Sequence, residues 1–395
     1  YYQQNLDNDR ETIVGADLSA MLRSLGTNDL AFIEGASGRD LNEQEHTSYA
    51  VFGQADFNIT DTLVLTAGLR WTKEDKDLSN TFEDDAPPTL DPTVPNWGFF
   101  LFPPVAPRDD LDTEFDDTQV TGTIKLSWFM NPDTMFYASY GTGYKAGGIN
   151  ADRIPEEVPV LFDPEESESY EIGMKAEFPE QRLRANIALH KTVTEDLQTV
   201  SFQGGAFVLA NAGTADTKGV ELDLSWVPTA STTLTLAYAF NRGEYEDFED
   251  GPCWTSTPFH TQQPDPAELG NGACDRSGGD LSGNPENVLV LSGNQGFRLT
   301  DQLTGFAYGE YIFTADRMTD VNNDPAKRDG SYSLINLRFG LIYEPWKTDL
   351  TLWGRSEWAP DSLPPGADHL GSDSAQGFLN AAAAVRFGWL PEPLG

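Results

Sequence analysis

The residues able to do chemistry in this chain are few and scattered. Four histidines, His46, His190, His260 and His369, stand far apart, and His190 falls alone on the polar side of an alternating segment. None has the neighbours that metal ligation asks for. Ser201 and Ser225 have no base or orienting group in supporting context, so no nucleophilic constellation is read and no enzyme activity is expected. The stretch Gly141-Thr142-Gly143-Tyr144-Lys145-Ala146-Gly147 has the look of a phosphate cradle. No strand-to-helix transition follows it, which rules that reading out. The acidic run Asp109, Asp110, Asp112, Glu114, Asp116 and Asp117 offers oxygen ligands for Ca²⁺, but lacks the order of an EF-hand loop. A solvated, charged outer loop is the better reading. Cys253 and Cys274 lie in one loop-like stretch without a CxxC motif or a histidine cluster. They read as a local disulfide in an oxidising compartment, the alternative being two reduced thiols. Such a bond closes a loop of about twenty residues and contributes on the order of 3 kcal/mol. No cofactor and no resident metal are expected.

The elements that would position such residues are strands. The chain has 395 residues, a net charge of −38 and 39% hydrophobic residues. That acidity argues against nucleic acid, which needs basic stripes, and against charge-driven docking on an anionic lipid face. No apolar run approaches the roughly 20 residues of a membrane helix, a test that barrel strands never pass in any case. Tyr1 opens the sequence without a methionine or signal peptide, as in a mature protein or a fragment.

Period-two alternation organises the chain. Tyr49, Val51, Gly53, Ala55, Phe57 and Ile59 form one face against Ser48, Gln54, Asp56 and Asn58. After the turn Thr60-Asp61-Thr62, Leu63, Leu65, Ala67, Leu69 and Trp71 oppose Thr66, Gly68, Arg70 and Thr72. The pattern recurs to about residue 355 and gives about twelve strands, each ten or more residues long, where soluble strands average about five or six. Short turns fall near 60, 132, 180, 230, 301 and 346. They alternate with long polar segments at 73–117, 146–164, 247–286 and 315–329, and a shorter one at 204–213. Aromatic residues on the apolar face, Phe57, Trp128, Phe136, Phe178, Trp226 and Tyr343, sit about three residues from the short turns. Tyr49 and Trp71 lie roughly one hydrocarbon thickness farther on. Mid-strand charges such as Lys125, Lys175, Arg184, Glu171, Glu221 and Asp223 share the opposite face. The fold expected is all-β: an antiparallel transmembrane β-barrel with long external loops and short periplasmic turns, in the outer membrane of a Gram-negative bacterium and in contact with its lipid.

Tyr137-Ala138-Ser139-Tyr140-Gly141-Thr142-Gly143-Tyr144-Lys145-Ala146-Gly147-Gly148-Ile149-Asn150 closely resembles a segment of many TonB-dependent receptors. Asn131-Pro132-Asp133-Thr134-Met135-Phe136 before it fits as well, and so does Pro164-Glu165-Glu166 leading to Ser169-Tyr170-Glu171-Ile172-Gly173-Met174-Lys175. Thr47–Gln54, Leu65–Thr72, Gly219–Leu222 and Gly283-Asn284-Pro285 supply further landmarks in order. The resemblance runs from about 46 to 355. It implies a barrel of about 22 strands of which about twelve are here. It also implies an N-terminal plug and a partner-binding segment for a TonB-type energising complex, both absent from this sequence. Residues 1–45 are expected to hold the end of a barrel strand and an external loop. Residues 356–395 are expected to be an irregular tail, off the family's pattern. The glycines of 141–148 are expected to let a strand leave the wall with unusual backbone angles.

The resemblance implies uptake of a scarce, bulky ligand, a small molecule or metal chelate such as a ferric siderophore, bound at the outer mouth. Polar residues near the outer strand ends, Arg70, Tyr144 and Lys145, are the candidate ligand contacts, against the plainer role of wall solvation and plug contact. Two alternatives stand beside this: a passive porin-like channel, constricted by an infolded segment 73–117, and a surface-binding barrel without a plug.

Overall fold

The computed structural model describes residues 1–13, 37–84, 109–150, 159–203, 206–249, 251–253, 273–346, 348–358 and 379–387. Fourteen strands form one sheet. They are β1 (Tyr2–Ile13), β2 (Ser37–Thr60), β3 (Leu63–Asp84), β4 (Leu111–Asn131), β5 (Thr134–Lys145), β6 (Glu165–Phe178) and β7 (Leu183–Glu195), followed by β8 (Thr214–Thr229), β9 (Thr232–Asp247), β10 (Asn287–Arg298), β11 (Leu303–Thr314), β12 (Tyr332–Tyr343), β13 (Thr348–Trp358) and β14 (Leu379–Phe387). Each strand pairs antiparallel with the next in sequence, and among the described residues β1 and β14 are the sheet's two edges. This is an up-and-down meander, the connectivity of an outer-membrane barrel wall.

The short connections hold the register. β2 passes to β3 through Asp61 and Thr62, and β4 to β5 through Pro132 and Asp133. Backbone bonds tie short turns to the strand beyond: Phe129 N–H donates to Thr62 O at 2.8 Å, Val227 to Arg182 O at 2.9 Å and Gly296 to Ser231 O at 2.7 Å. Arg182, at φ 51°, occupies the left-handed region inside the 179–182 turn. The remaining connections are longer and join the strands at their opposite ends.

Burial is inverted relative to a soluble protein. Val51 is 71% exposed, Leu69 64%, Val120 59%, Ile172 54% and Phe339 53%. Cross-strand register places these residues on one face, with Trp71 opposite Val120 and Ile172 opposite Leu189. The other face carries the polar set in contact with itself. Asn186 Nδ2 donates to Asp223 Oδ1 at 3.2 Å, Asn336 Nδ2 to Glu310 Oε1 at 2.7 Å, and Arg184 pairs with Glu177 at 2.9 Å. The Tyr137 ring lies 4.8 Å from the Lys125 ammonium and 5.7 Å from that of Lys175, and its hydroxyl donates to Glu171 at 2.5 Å. An apolar outer face and a polar inner face of this extent fit a wall with hydrocarbon outside and water inside.

Several expectations are corrected. The sheet has fourteen strands where about twelve were counted, because β14 was not foreseen and β1, expected only as the end of a strand at the start of the chain, runs on to Ile13. Residues 5–13 and 37–45, assigned to an external loop, are strand, paired from Asn5↔Glu45 to Ile13↔Ser37. Likewise β3 and β4 extend into 73–84 and 111–117. Strands of 24, 22 and 21 residues overshoot the roughly 9–11 that a bilayer needs. Their upper halves have polar residues on both sides, so no alternation announces them. Residues 379–387, within the expected irregular tail, pair with Thr348–Ser356; the run Ala381–Ala384 offers no contrast between faces. The connection 204–213 belongs to a hairpin, Leu197–Gln203 with Ala206–Ala212, beside the main sheet. His260, His369 and residues 85–108 of the possible constricting segment lie outside the described residues.

At the outer end of β9 the long connections pack into a small core. Tyr245 is fully buried among Ala212, Phe248 and Val321, with Leu197 and Leu281 against them. A disulfide joins Cys253 to Cys274, and Arg328 bonds both Asp280 and Asp316. The guanidinium of Arg328 is held above its ordinary range mainly by its hydrogen bond to Asp316, against the opposing effect of burial.

An arginine at Leu69, seven positions from Thr62 on the outward face, is expected to cost about 2–4 kcal/mol, whereas one at inward Thr66 is near neutral. Reversible urea titration in lipid vesicles checks the difference.

Candidate functional site

Following β3 upward along its inner face gives Arg70, Thr72, Glu74, Lys76, Leu78 and Asn80 at every second position. Thr72 is 2% exposed and Glu74 8%, unusual burial for a wall that faces water. Glu74 is the hub. One carboxylate oxygen accepts the Tyr144 hydroxyl at 3.0 Å, and the other lies 2.6 Å from His46 Nε2. The Arg70 Nε–H donates to Thr72 Oγ1 at 3.0 Å, and its guanidinium sits 5.7 Å from the Phe52 ring centroid. Lys76 Nζ donates to Gly147 O at 2.5 Å and lies 5.8 Å from the Phe115 ring centroid. Burial pushes the Lys76 ammonium below its ordinary range, while Glu74 and Asp117 draw it back up. Glu74 and Asp117 face each other directly across β3 and β4. Two carboxylates so placed repel, and the His46, Tyr144 and Lys76 contacts offset that repulsion.

The second half of the site is the segment that leaves β5. Gln198 Nε2 donates to the carbonyls of Lys145 at 3.3 Å, Ala146 at 3.0 Å and Asp163 at 3.0 Å, and its backbone N–H donates to Glu165 at 2.8 Å. Asn150 Nδ2 donates to Leu209 O at 2.8 Å, and Leu209 N–H returns a bond to Asn150 Oδ1 at 3.0 Å. These side chains supply partners for backbone that has left the ladder. The glycines here answer a shortage of space. A Cβ on Gly147 would stand 2.5 Å from both the Phe115 ring and Phe162 O. The expected unusual backbone angles are not found at 141–148: among the described residues the glycines with positive φ are Gly278 and Gly283.

Of the three candidate contacts, the structure brings together Arg70 and Tyr144, around Thr72 and Glu74. Lys145 stands apart. It is exposed, and among the described residues its side chain has no partner, only its carbonyl being used. Glu74 and Lys76 were missed because 73–117 read as a loop, and His46 because it stood as one of four scattered histidines. The parity that marks Arg70 as inward, continued two residues at a time, reaches Glu74 and Lys76. Of the acidic run, Asp109 and Asp110 precede β4 and the rest forms its start, with Asp112, Glu114 and Asp116 on one face and Asp117 on the other. No group of three or more metal-ligating side chains occurs among the described residues.

Residues 1–355 match the family model for the TonB dependent receptor-like β-barrel, a longer stretch than the motifs at 46–355 mark out. The pesticin receptor of Yersinia enterocolitica is 34% identical over 111 residues, 28% of this chain and 16% of that protein. The ferric yersiniabactin uptake receptor FyuA from Yersinia pestis superposes with a TM-score of 0.61 at 17% identity, covering 89% of this chain and 46% of that one. The siderophore receptor PiuA from Acinetobacter baumannii gives 0.60 at 17% identity, covering 98% and 51%. The chain thus spans about half the length of these solved receptors.

Replacing Glu74 with alanine strands the Tyr144 hydroxyl and the His46 ring, with an expected loss of about 1–3 kcal/mol. Combining Glu74→Gln with Tyr144→Phe is expected to show non-additivity of about 1 kcal/mol in equilibrium unfolding, the signature of one coupled site.

Proposed function

The chain belongs to the TonB-dependent receptor-like β-barrel family, and from that membership we propose that it forms about half the wall of a receptor taking up a scarce, bulky ligand. Its place is the outer membrane of a Gram-negative bacterium. The ligand class we assign is a metal chelate of the ferric-siderophore kind, entering from the outer mouth. Uptake is energised by a TonB-type complex that engages a part of the receptor outside these residues, and a plug in that part occupies the lumen. The observation that carries this reading is the family match over residues 1–355, which takes in the sheet from β1 into β13. The roles of two similar receptors, ferric yersiniabactin uptake and siderophore reception, support the ligand class.

The site fits that role in its chemistry. Arg70 and Tyr144 sit above the membrane's middle on the inner face, beside two opposed carboxylates. A hydrogen-bonding surface of this kind suits a ligand rich in oxygen donors. Lys145, on the exit from β5, is the outermost of the three proposed contacts.

Deleting the gene from its host is expected to abolish accumulation of radiolabelled iron supplied as the cognate chelate. Removing the energising complex is expected to do the same. Accumulation that persists without that complex would favour the passive channel. In the intact receptor, Arg70→Ala is expected to weaken chelate binding by about 1–2 kcal/mol, measured by fluorescence titration.

A further inference from the structure

The lipid-facing side of β8–β12 contains a place that the protein itself leaves unfilled. Register puts Leu234, Gly293, Gly309 and Leu337 in one row across four strands, all pointing outward. The two central positions have no side chain. The next row outward is bulky throughout, with Leu236, Leu291, Tyr311 and Ile335. The result is a groove of about 810 Å³ with an almost wholly carbon lining. That volume is within the roughly 300–1,000 Å³ of small-molecule clefts. The polar side chains of the same strands are engaged elsewhere: Glu310 accepts from Asn336 and Tyr308, and Thr235 meets Ser292 at 2.6 Å.

At Gly305 on the same face a missing side chain is compensated from within. The Phe297 ring covers Gly305, where a Cβ would meet the ring at 2.3 Å. At Gly309 a Cβ would meet only Leu337 Cδ2, at 3.6 Å, and at Gly293 only Leu234 Cδ2, at 3.1 Å. An apolar hollow forfeits dispersion contacts unless something enters it. Depth and surroundings select the occupant. Gly309 lies six positions beyond Leu303, the first residue after a short periplasmic turn. On a strand tilted by about 45° that is about 14 Å above the inner rim of a band about 25 Å tall. The glycine floor thus lies just past the middle of the band, and Leu183, Trp226 and Leu234, close to the short turns, carry the lining down from it, so that the groove opens toward the periplasmic leaflet. We infer that the groove floored by Gly293 and Gly309 retains one acyl chain of a phospholipid from the periplasmic leaflet. This inference rests on the membrane setting and is independent of the uptake reading.

The test uses the protein expressed in a Gram-negative host and extracted from its outer membrane in mild detergent. Native mass spectrometry is expected to show a retained phospholipid. Gly293→Leu combined with Gly309→Leu is expected to reduce the retained fraction about tenfold, equivalent to about 1.4 kcal/mol of affinity. Gly53→Leu, on the same outward face where nothing lies within 4 Å, is the control and is expected to leave the fraction unchanged. A phospholipid with a photoactivatable acyl chain, tested on the unsubstituted protein, is expected to cross-link to the 303–311 segment. That result stands whether or not the leucine variants fold. Cross-links spread evenly around the wall, retention unaffected in folded leucine variants, or lipopolysaccharide in place of phospholipid would each overturn the inference. So would a species of doubled mass cross-linked through this face, which would assign the groove to a second copy.

Discussion

Inside hydrocarbon a backbone amide has no water to turn to, and each unpaired group costs several kcal/mol. The rest of this structure follows from that constraint. The ladder runs without a break from β1 to β14, each strand satisfying the one before it. It explains why strands in sequence are neighbours in space and why the turns on one side are two to four residues long. It also explains where irregular backbone is permitted. The segment leaving β5 abandons the ladder only at the outer end, where Gln198 and Asn150 supply the bonds its carbonyls would otherwise lack.

With the backbone satisfied, side chains are free to serve the two solvents separately. Outward positions carry Val51, Leu69 and Ile172, while inward positions carry Tyr137 between two lysines and Glu310 with Asn336. The wall is thin, and no conventional core runs through it. The nearest thing to one is the cluster around Tyr245 at the outer end of β9, where the disulfide and the Arg328 ion pairs gather three long connections. The hub at Glu74 is likewise built across elements, from β2, β3 and the outer end of β5.

Legibility in the sequence followed contrast between the faces. Between Tyr49 and Ile59, or Tyr170 and Phe178, apolar and polar residues alternate cleanly, and the strands were read with their turns in place. Above the membrane both sides of a strand meet water, so Gly38–Glu45 and Lys73–Asp84 lost their signature and read as loop. Leu379–Phe387 was lost for the opposite reason, four alanines in succession. The site suffered with the strands. Arg70 was found because it falls in the readable half of β3, and Glu74 was missed because it falls in the other. Lys145 and Tyr144 are adjacent in a motif and therefore looked equivalent. Only the geometry separates them, since the path of the chain past Gly143 carries one hydroxyl to Glu74 and leaves the neighbouring ammonium exposed.

The period of two that assigns each residue to lipid or water also dictates how such a gene is able to change in length. Loss of one codon within β6 would exchange the faces of everything beyond it, sending Glu171 and Lys175 toward hydrocarbon and Ile172 and Met174 toward the lumen. The two-residue turns tolerate no such slip, because their backbone bonds fix the offset between neighbouring strands. Insertions and deletions are thereby confined to the outer connections, the surface that antibodies and bacteriophages meet. A lineage of such proteins diversifies its antigenic face by length while its wall changes by substitution alone.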